Sequence, residues 1–432
     1  MRLLVLLFLQ AADPGALSQQ AKTAMAAGRF DEAIGLYSQI LKSLPGHPGI
    51  LLNLCLANHS AGHYAEAVKQ CGLTLQKDPK MTPANLFLGA AELKLDRPER
   101  AVQPLERYHA AQPNQPVGQL ELATAYMMLA RFGDAIKLYD ALAINTPNDP
   151  RVFHGLGRAH VDLSRQIYAR LTPGSAPWAA LLARTKFEDQ QYKAAAELYR
   201  QALKMQPDFP GAHAALAEIY RQTNEPALAE AEAKLEKNFP PSGAFAEAIG
   251  HSAKALDAFQ KLEALPPSPE LFDIKAESAS MKGQHADAAA NYKKAFEMKP
   301  SEARYERKYA LSLSANREFE IAIPLLKKHA MPFELGAALL ESGDAQSALA
   351  PLQAEFKKNP VKPGLRGLLG RALLAAEQPA AALPHLMAAK ANDPDGAIHL
   401  QLSRAYQRLG RSAEAAEALN VYQSRQAATA PR

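Results

Sequence analysis

The chain has 432 residues, 48% of them hydrophobic, with 49 basic and 44 acidic side chains and a formal net charge of +5. Both signs are interspersed, and no basic run exceeds Lys327-Lys328-His329, which argues against the concentrated basic face of a nucleic-acid binder. Ala and Leu dominate over β-branched residues, so helix is the local preference nearly throughout.

The N-terminus, MRLLVLLFLQAADPGALS, places seven apolar residues, Leu3 to Leu9, after one positive charge. That run is too short to span a bilayer and suits the core of a secretory signal over residues 1–18. Cleavage would fall near Ala11–Ala12 or after Ser18. The alternative is an apolar first helix. A signal predicts a periplasmic or secreted protein with no stable membrane insertion, and its absence a cytoplasmic one.

From Gly28 the chain acquires a rhythm. Gly28, Phe30, Ala33, Tyr37 and Pro45 are followed 34 residues later by Gly62, Tyr64, Ala67, Cys71 and Pro79, and prolines return at Pro113 and Pro147. A fixed period in this range means stacked supersecondary units rather than one globular core. Residues 14–149 read as four regular units. A degenerate unit over 150–175 is cut short by Thr172-Pro173-Gly174. Two units over 176–243 follow, closing with Pro207 and Pro241, and then a second degenerate stretch, 244–268. Residues 269–302 form a regular unit, 303–328 a third short one, and 329–429 three more.

The residue types and spacing resemble the tetratricopeptide repeat, a 34-residue helix–turn–helix with Leu-Gly and Tyr in its first helix and Ala, an aromatic and Pro in its second. Phe153-x-x-Leu156-Gly157 matches the first part; Gly28-x-Phe30-x-x-Ala33 and Gly62-x-Tyr64-x-x-Ala67 match the turn and second helix. Trp178 is the single Trp, so the Trp of the signature is missing elsewhere. The resemblance covers about residues 14 to 427. It implies an all-α fold, an α-solenoid coiled as a right-handed superhelix of about 13 helix-turn-helix units, about three of them degenerate.

Motifs for chemistry are missing. The sequence has no Gly-x-Ser-x-Gly, no Gly-rich loop followed by Lys-Ser/Thr and no His-Glu-x-x-His. Gly364–Gly370, GLRGLLG, lacks a preceding strand and falls in a first-helix slot. His59 and His63 are four apart, but Gly62 between them breaks the helix that a metal pair needs. The expectation is a protein with no catalytic residues, no metal and no cofactor. Cys55 and Cys71 are the two cysteines. They suit a small apolar core pair, or a disulfide stapling two helices if the chain is exported.

The resemblance also implies a function. Such repeats hold a peptide or partner protein on the concave wall lined by their first helices. The expected groove residues are Leu52, Leu56, His59, Leu86, Leu93, Leu120, Met127 and Met128, followed by Arg158, Arg184 and Arg221, with Glu218, Asp273 and Glu277 beyond. The clamp that grips acidic chaperone tails is not reproduced: Asn53 is suitably placed, but Ser18, Lys22, Pro83 and Phe87 stand at its other positions. The sequence thus predicts a non-enzymatic scaffold for a protein or peptide ligand, with no nucleic acid and no small-molecule substrate. The alternative is an accessory subunit of an envelope assembly or polysaccharide export machine.

Overall fold

The computed structural model describes residues 13–236 and 243–429. Residues 1–12 of the expected signal, and Pro241, lie outside the described residues. The chain divides into two compact units, Met1–Leu265 and Pro266–Arg432. Among the described residues there are α-helices, one short 3-10 turn at Lys390–Asn392 and no strand.

The first unit contains α1 (Pro14–Ala26), α2 (Phe30–Ser43), α3 (Pro48–Ser60), α4 (Tyr64–Lys77), α5 (Thr82–Lys94), α6 (Pro98–Ala111), α7 (Pro116–Met128) and α8 (Phe132–Asn145). It continues with α9 (Pro150–Tyr168), α10 (Ala176–Glu188), α11 (Tyr192–Met205), α12 (Ala212–Gln222), α13 (Pro226–Leu235) and α14 (Gly243–Ala264). The second contains α15 (Pro269–Met281), α16 (His285–Met298), α17 (Ala303–Ala315), α18 (Phe319–Lys328) and α19 (Pro332–Glu341). It ends with α20 (Ala345–Lys358), α21 (Leu365–Ala375), α22 (Pro379–Ala389), α23 (Ala397–Arg408) and α24 (Ser412–Thr429).

Local chemistry sets these boundaries. Pro14, Pro48, Pro116, Pro150 and Pro269 stand in the first turn of their helices, where a missing N–H costs nothing and the ring pre-sets φ. At the turn inside each consecutive pair, one residue takes a left-handed conformation. It is Gly at 28, 62, 283, 343 and 410, but Asp96, Ala130, Gln190, Asn224, Arg317 and Glu377 in the other pairs. The next residue's N–H then reaches back to a carbonyl of the first helix, as in Arg29 to Ala24 (2.9 Å) and Arg131 to Tyr126 (2.9 Å). This 6→1 bond is the Schellman closure that ends a helix.

Among the described residues, eleven pairs are formed by consecutive helices and one further pair is split. Helix α9 does not pack on α10 but on α14, and among the described residues that contact is the most extensive between any two helices. The stretches 150–175 and 244–268, which read as two separate partial units, therefore supply one helix each to a single pair. The pairs α10·α11 and α12·α13 are inserted at the point where its turn would be. Both partners are long, 19 residues for α9 and 22 for α14. Their extra turns carry Ile167 and Phe245, both buried. Residues 303–328 form the pair α17·α18, whose second helix is shortened to 10 residues.

Between paired helices the core uses small residues against large ones. A Cβ on Gly89 would lie 2.4 Å from Leu105 Cγ, and one on Gly336 would lie 2.4 Å from Leu352 Cγ. Only a residue without a side chain lets those helices close to this distance.

Candidate functional site

First helices of successive repeats approach one another: α3 touches α5, α5 touches α7 and α7 touches α9 in the first unit, and α19, α21 and α23 do so in the second. Among the described residues, successive second helices do not come as close. Helices crowded on one side and spread on the other make a curved stack, so the first helices form each unit's inner wall.

On the wall of the first unit, Leu52 and Leu56 of α3 are half-buried. His59 is wedged edge-on between the rings of Tyr64 (5.5 Å) and Phe87 (5.7 Å). Its Nε2 is buried without a hydrogen-bond partner. Burial, and then the nearby Lys94, hold its pKa below the usual histidine value, so it serves as a neutral wall element.

Leu86 and Leu93 correct the expectation for α5. They are 8% and 9% exposed and belong to the core with Ala101, Leu105 and Leu122. Leu120 and Met127 of α7 pack against that same core. Leu86 and Leu93 are thus taken up by the core, whereas Leu120 and Met127 stay partly exposed. Met128 remains open on α7 at 42% exposure, and so does Val117 at 50%. Val117 lies one residue into the helix after Pro116, and its pattern alone did not single it out.

The expected basic stretch is divided by the split pair. Arg158 is half-buried on α9, whereas Arg184 and Arg221 stand on the inserted helices α10 and α12. Arg184 is 3.1 Å from Glu188, and Arg221 is 2.7 Å from Glu218. In the second unit, Asp273 (1% exposed side chain) and Glu277 hold the Lys308 ammonium at 2.5 and 2.8 Å. These carboxylates tie α15 to α17 and are not a free acidic wall.

Cys55 and Cys71 join α3 to α4 as a disulfide with Cα atoms 5.3 Å apart. Both are fully buried beside Ala67 and Ala91. His63 lies 3.8 Å from Asp31. Among the described residues no three His, Cys, Asp or Glu side chains gather as metal ligands do. No helix among them is long and apolar enough to cross a membrane.

In the second unit a cleft of about 800 Å³ lies between α19, α21 and α23, bordered by Pro360–Gly364 and by Ala388, Ala389, Ala391 and Asn392. Its floor includes Phe333, Ala337, Leu368 and Ile398, and its polar groups include Glu341, Arg366, Arg371 and Gln401. Arg371 is 2.7 Å from Glu341. Lys362 is 3.0 Å from Glu355 and lies 4.5 Å above the Phe333 ring. The Arg366 guanidinium lies 4.9 Å over Phe356 and has no carboxylate partner among the described residues. Val361, at the lip, is 84% exposed. Sequence reading missed this cleft; its signal is the Pro360-Val-Lys-Pro-Gly364 run, which leaves an apolar residue outside any helix.

Paired helices at a 34-residue spacing, with small residues at the crossings and a curved inner wall, define a helical-repeat scaffold. Family models described as "Tetratricopeptide repeat" match residues 24–74, 93–159 and 186–235, and a second such model matches 333–397. The chain belongs to the tetratricopeptide repeat family. A curated relative, Protein SGT1 homolog of Oryza sativa subsp. japonica, is 31% identical over 90 residues, which are 21% of this chain and 24% of that protein. The chain thus spans about a quarter of that relative's length.

Among solved structures, MamA protein is 19% identical, with 45% of this chain and 92% of that chain covered and a TM-score of 0.33. A tetratricopeptide repeat protein from Parabacteroides merdae is 13% identical, with 69% and 98% covered and a TM-score of 0.38. The first TPR of Spaghetti (RPAP3), solved bound to an HSP90 peptide, is 26% identical, with 28% and 96% covered and a TM-score of 0.27.

Proposed function

We propose that this protein is a non-enzymatic scaffold that holds a peptide or partner protein along the inner walls of its repeat stacks. The observation that carries this reading is the cleft across α19, α21 and α23, whose apolar floor is bordered by Arg366, a basic residue without an acidic partner among the described residues. A cleft with an apolar floor and a few convergent polar groups is where ligands are usually held. Its chemistry suits an extended segment with apolar side chains and a carboxylate. The open apolar pair Val117 and Met128, with Leu52 and Leu56, offers a second surface in the first unit. Interspersed charge favours a protein ligand over nucleic acid.

The test is titration of the full chain with a short acidic-apolar peptide and with its Lys-substituted counterpart of equal length. The acidic peptide binds more tightly, and Arg366→Glu reverses the preference. Equal weak binding of both, unchanged in Arg366→Glu, overturns the cleft as the site.

Export to an oxidising compartment is part of this proposal, and the disulfide Cys55–Cys71 supports it, since structural disulfides are rare in reducing cytosol. An accessory role in an envelope assembly or export machine fits the same location. The side chain of Asp13 accepts hydrogen bonds from the backbone N–H groups of Gly15 and Ala16 at the start of α1, and Leu17 is buried. Cleavage after Ser18 would remove both, so processing is expected before Asp13. Mass spectrometry of the mature N-terminus decides this: a chain starting at Gln19 excludes the assignment, and a chain still carrying Met1 excludes export by this signal.

A further inference from the structure

The split pair is closed by a polar seam of two histidines and two serines. Four residues before the turn, the consecutive pairs place tyrosines such as Tyr126, Tyr220 and Tyr406. The split pair places His160 there, 3% exposed. Its Nδ1 lies 2.8 Å from His251 Nδ1 on α14, and the two rings stack with centroids 5.0 Å apart. One turn on, Ser164 donates a hydrogen bond to the Ala248 carbonyl at 2.8 Å and lies 3.0 Å from the Ser252 hydroxyl. This seam sits where the inserted helices α10–α13 leave α9 and return to α14.

We infer that the His160–His251 pair is an acid-sensitive latch that closes the split repeat and holds the inserted α10–α13 module against it. With both rings neutral, one Nδ1–H donates to the other Nδ1. A single added proton keeps an N–H⁺···N bond. A second proton leaves two donors face to face with no acceptor between them, and two positive charges in contact.

The surrounding charges do not compensate. On α14 they are Glu247 and Lys254; Lys254 opposes protonation of both rings, and Glu247 favours it only at His251. On α8, Asp140 interacts with Lys254 and Lys261. On α9 the neighbouring charges are Arg158 and Asp162, the latter paired with Arg165, and α7 carries Glu121. Burial first, then His251 and Lys254, push His160 down to about 4. Burial and Lys254 push His251 down as well. A histidine depressed in the folded state contributes stability fully above its ordinary value near 6.5, and that contribution is lost as pH falls from there towards about 4.

Hydrogen exchange of the full chain, read by mass spectrometry at pH 7 and pH 4.5 and corrected for intrinsic rates, tests the latch. Segments 160–168 and 243–252 are expected to lose protection by about tenfold or more on acidification, while α5–α8 keep theirs. In His160→Phe, which cannot take up a proton, this differential loss disappears. No differential loss in the native chain, or the same loss in His160→Phe, overturns the proposal. If His160→Phe does not fold at pH 7, His251→Gln is used instead. Its amide oxygen accepts from His160 and does not titrate, so the loss moves to lower pH; an unmoved transition overturns the latch.

Discussion

Gly157 and Phe259 lie 102 positions apart in the chain, yet a Cβ on Gly157 would come within 2.3 Å of Phe259 Cε1. The same small-against-large contact joins Gly89 to Leu105, Gly336 to Leu352 and Gly370 to Leu386, each 16 positions apart. Gly157 and Phe259 are thus the two halves of one repeat, separated by an insertion. A methyl at 157 has nowhere to go, and Gly157→Ala should cost about 1–3 kcal/mol by overpacking. Gly35, inside α2 with nothing within 4 Å of its Cβ position, is the control, where Ala should gain roughly 0.5–1 kcal/mol. Urea unfolding separates them, and equal effects would contradict the split pair.

The left-handed turn residue gives a second prediction. Ala130 holds φ +55° and Glu377 φ +60°, a conformation that costs a side-chain-bearing residue about 1 kcal/mol. Ala130→Gly should therefore stabilise the chain by up to about that amount, and Gly62→Ala, at φ +80°, should destabilise it by a similar amount. Thermal melts check both signs. A destabilising Ala130→Gly would mean that the turn is not held as described.

These turns also show what the sequence could disclose. Where Gly marks the turn, as at Gly28, Gly62 and Gly283, the break between a repeat's two helices is readable from punctuation alone. At Asp96, Ala130 and Gln190 the same backbone is imposed by the helices on either side, and no residue type announces it. Sequence order misleads at α9 and α14, because the two halves of one repeat stand far apart in the chain and each alone has the pattern of a partial unit. Groove positions on α5 failed for a related reason: an apolar first-helix residue looks alike whether it faces a partner or, as with Leu86 and Leu93, the next repeat. The cleft at Arg366 depends on how three repeats curve together, which no single repeat encodes.

The disulfide can be weighed directly. Cys55 and Cys71 are 16 residues apart, and closing a loop of that size contributes about 3 kcal/mol in the chain-entropy view. The double substitution Cys55→Ala and Cys71→Ala should lower the unfolding free energy by about that much, and reductant should lower the melting temperature of the native chain only. A native melt insensitive to reductant under conditions that expose both thiols would show that no bond is present.

Lys308 bridges Asp273 and Glu277 across two first helices. Replacing it by Met keeps the stem but removes the ammonium from a carboxylate that is almost fully buried. A loss of about 3 kcal/mol is expected, as for other broken buried pairs. Lys308→Arg should recover part of it. If Lys308→Met is neutral in urea unfolding, the bridge does not hold α15 to α17.

The most direct test of the scaffold account is binding of peptides selected from a random display library against the full chain. Their affinities would be measured by fluorescence anisotropy for the native protein, for Arg366→Glu, and for the pair Val117→Asp and Met128→Asp. Arg366 borders the cleft, Val117 and Met128 are exposed on α7 and none of them fills the core, so the fold should survive, as circular dichroism would verify. The account predicts that selected peptides lose about tenfold or more in affinity to one of the two variants. Peptides that bind both folded variants as tightly as the native chain would contradict it and place the binding surface elsewhere.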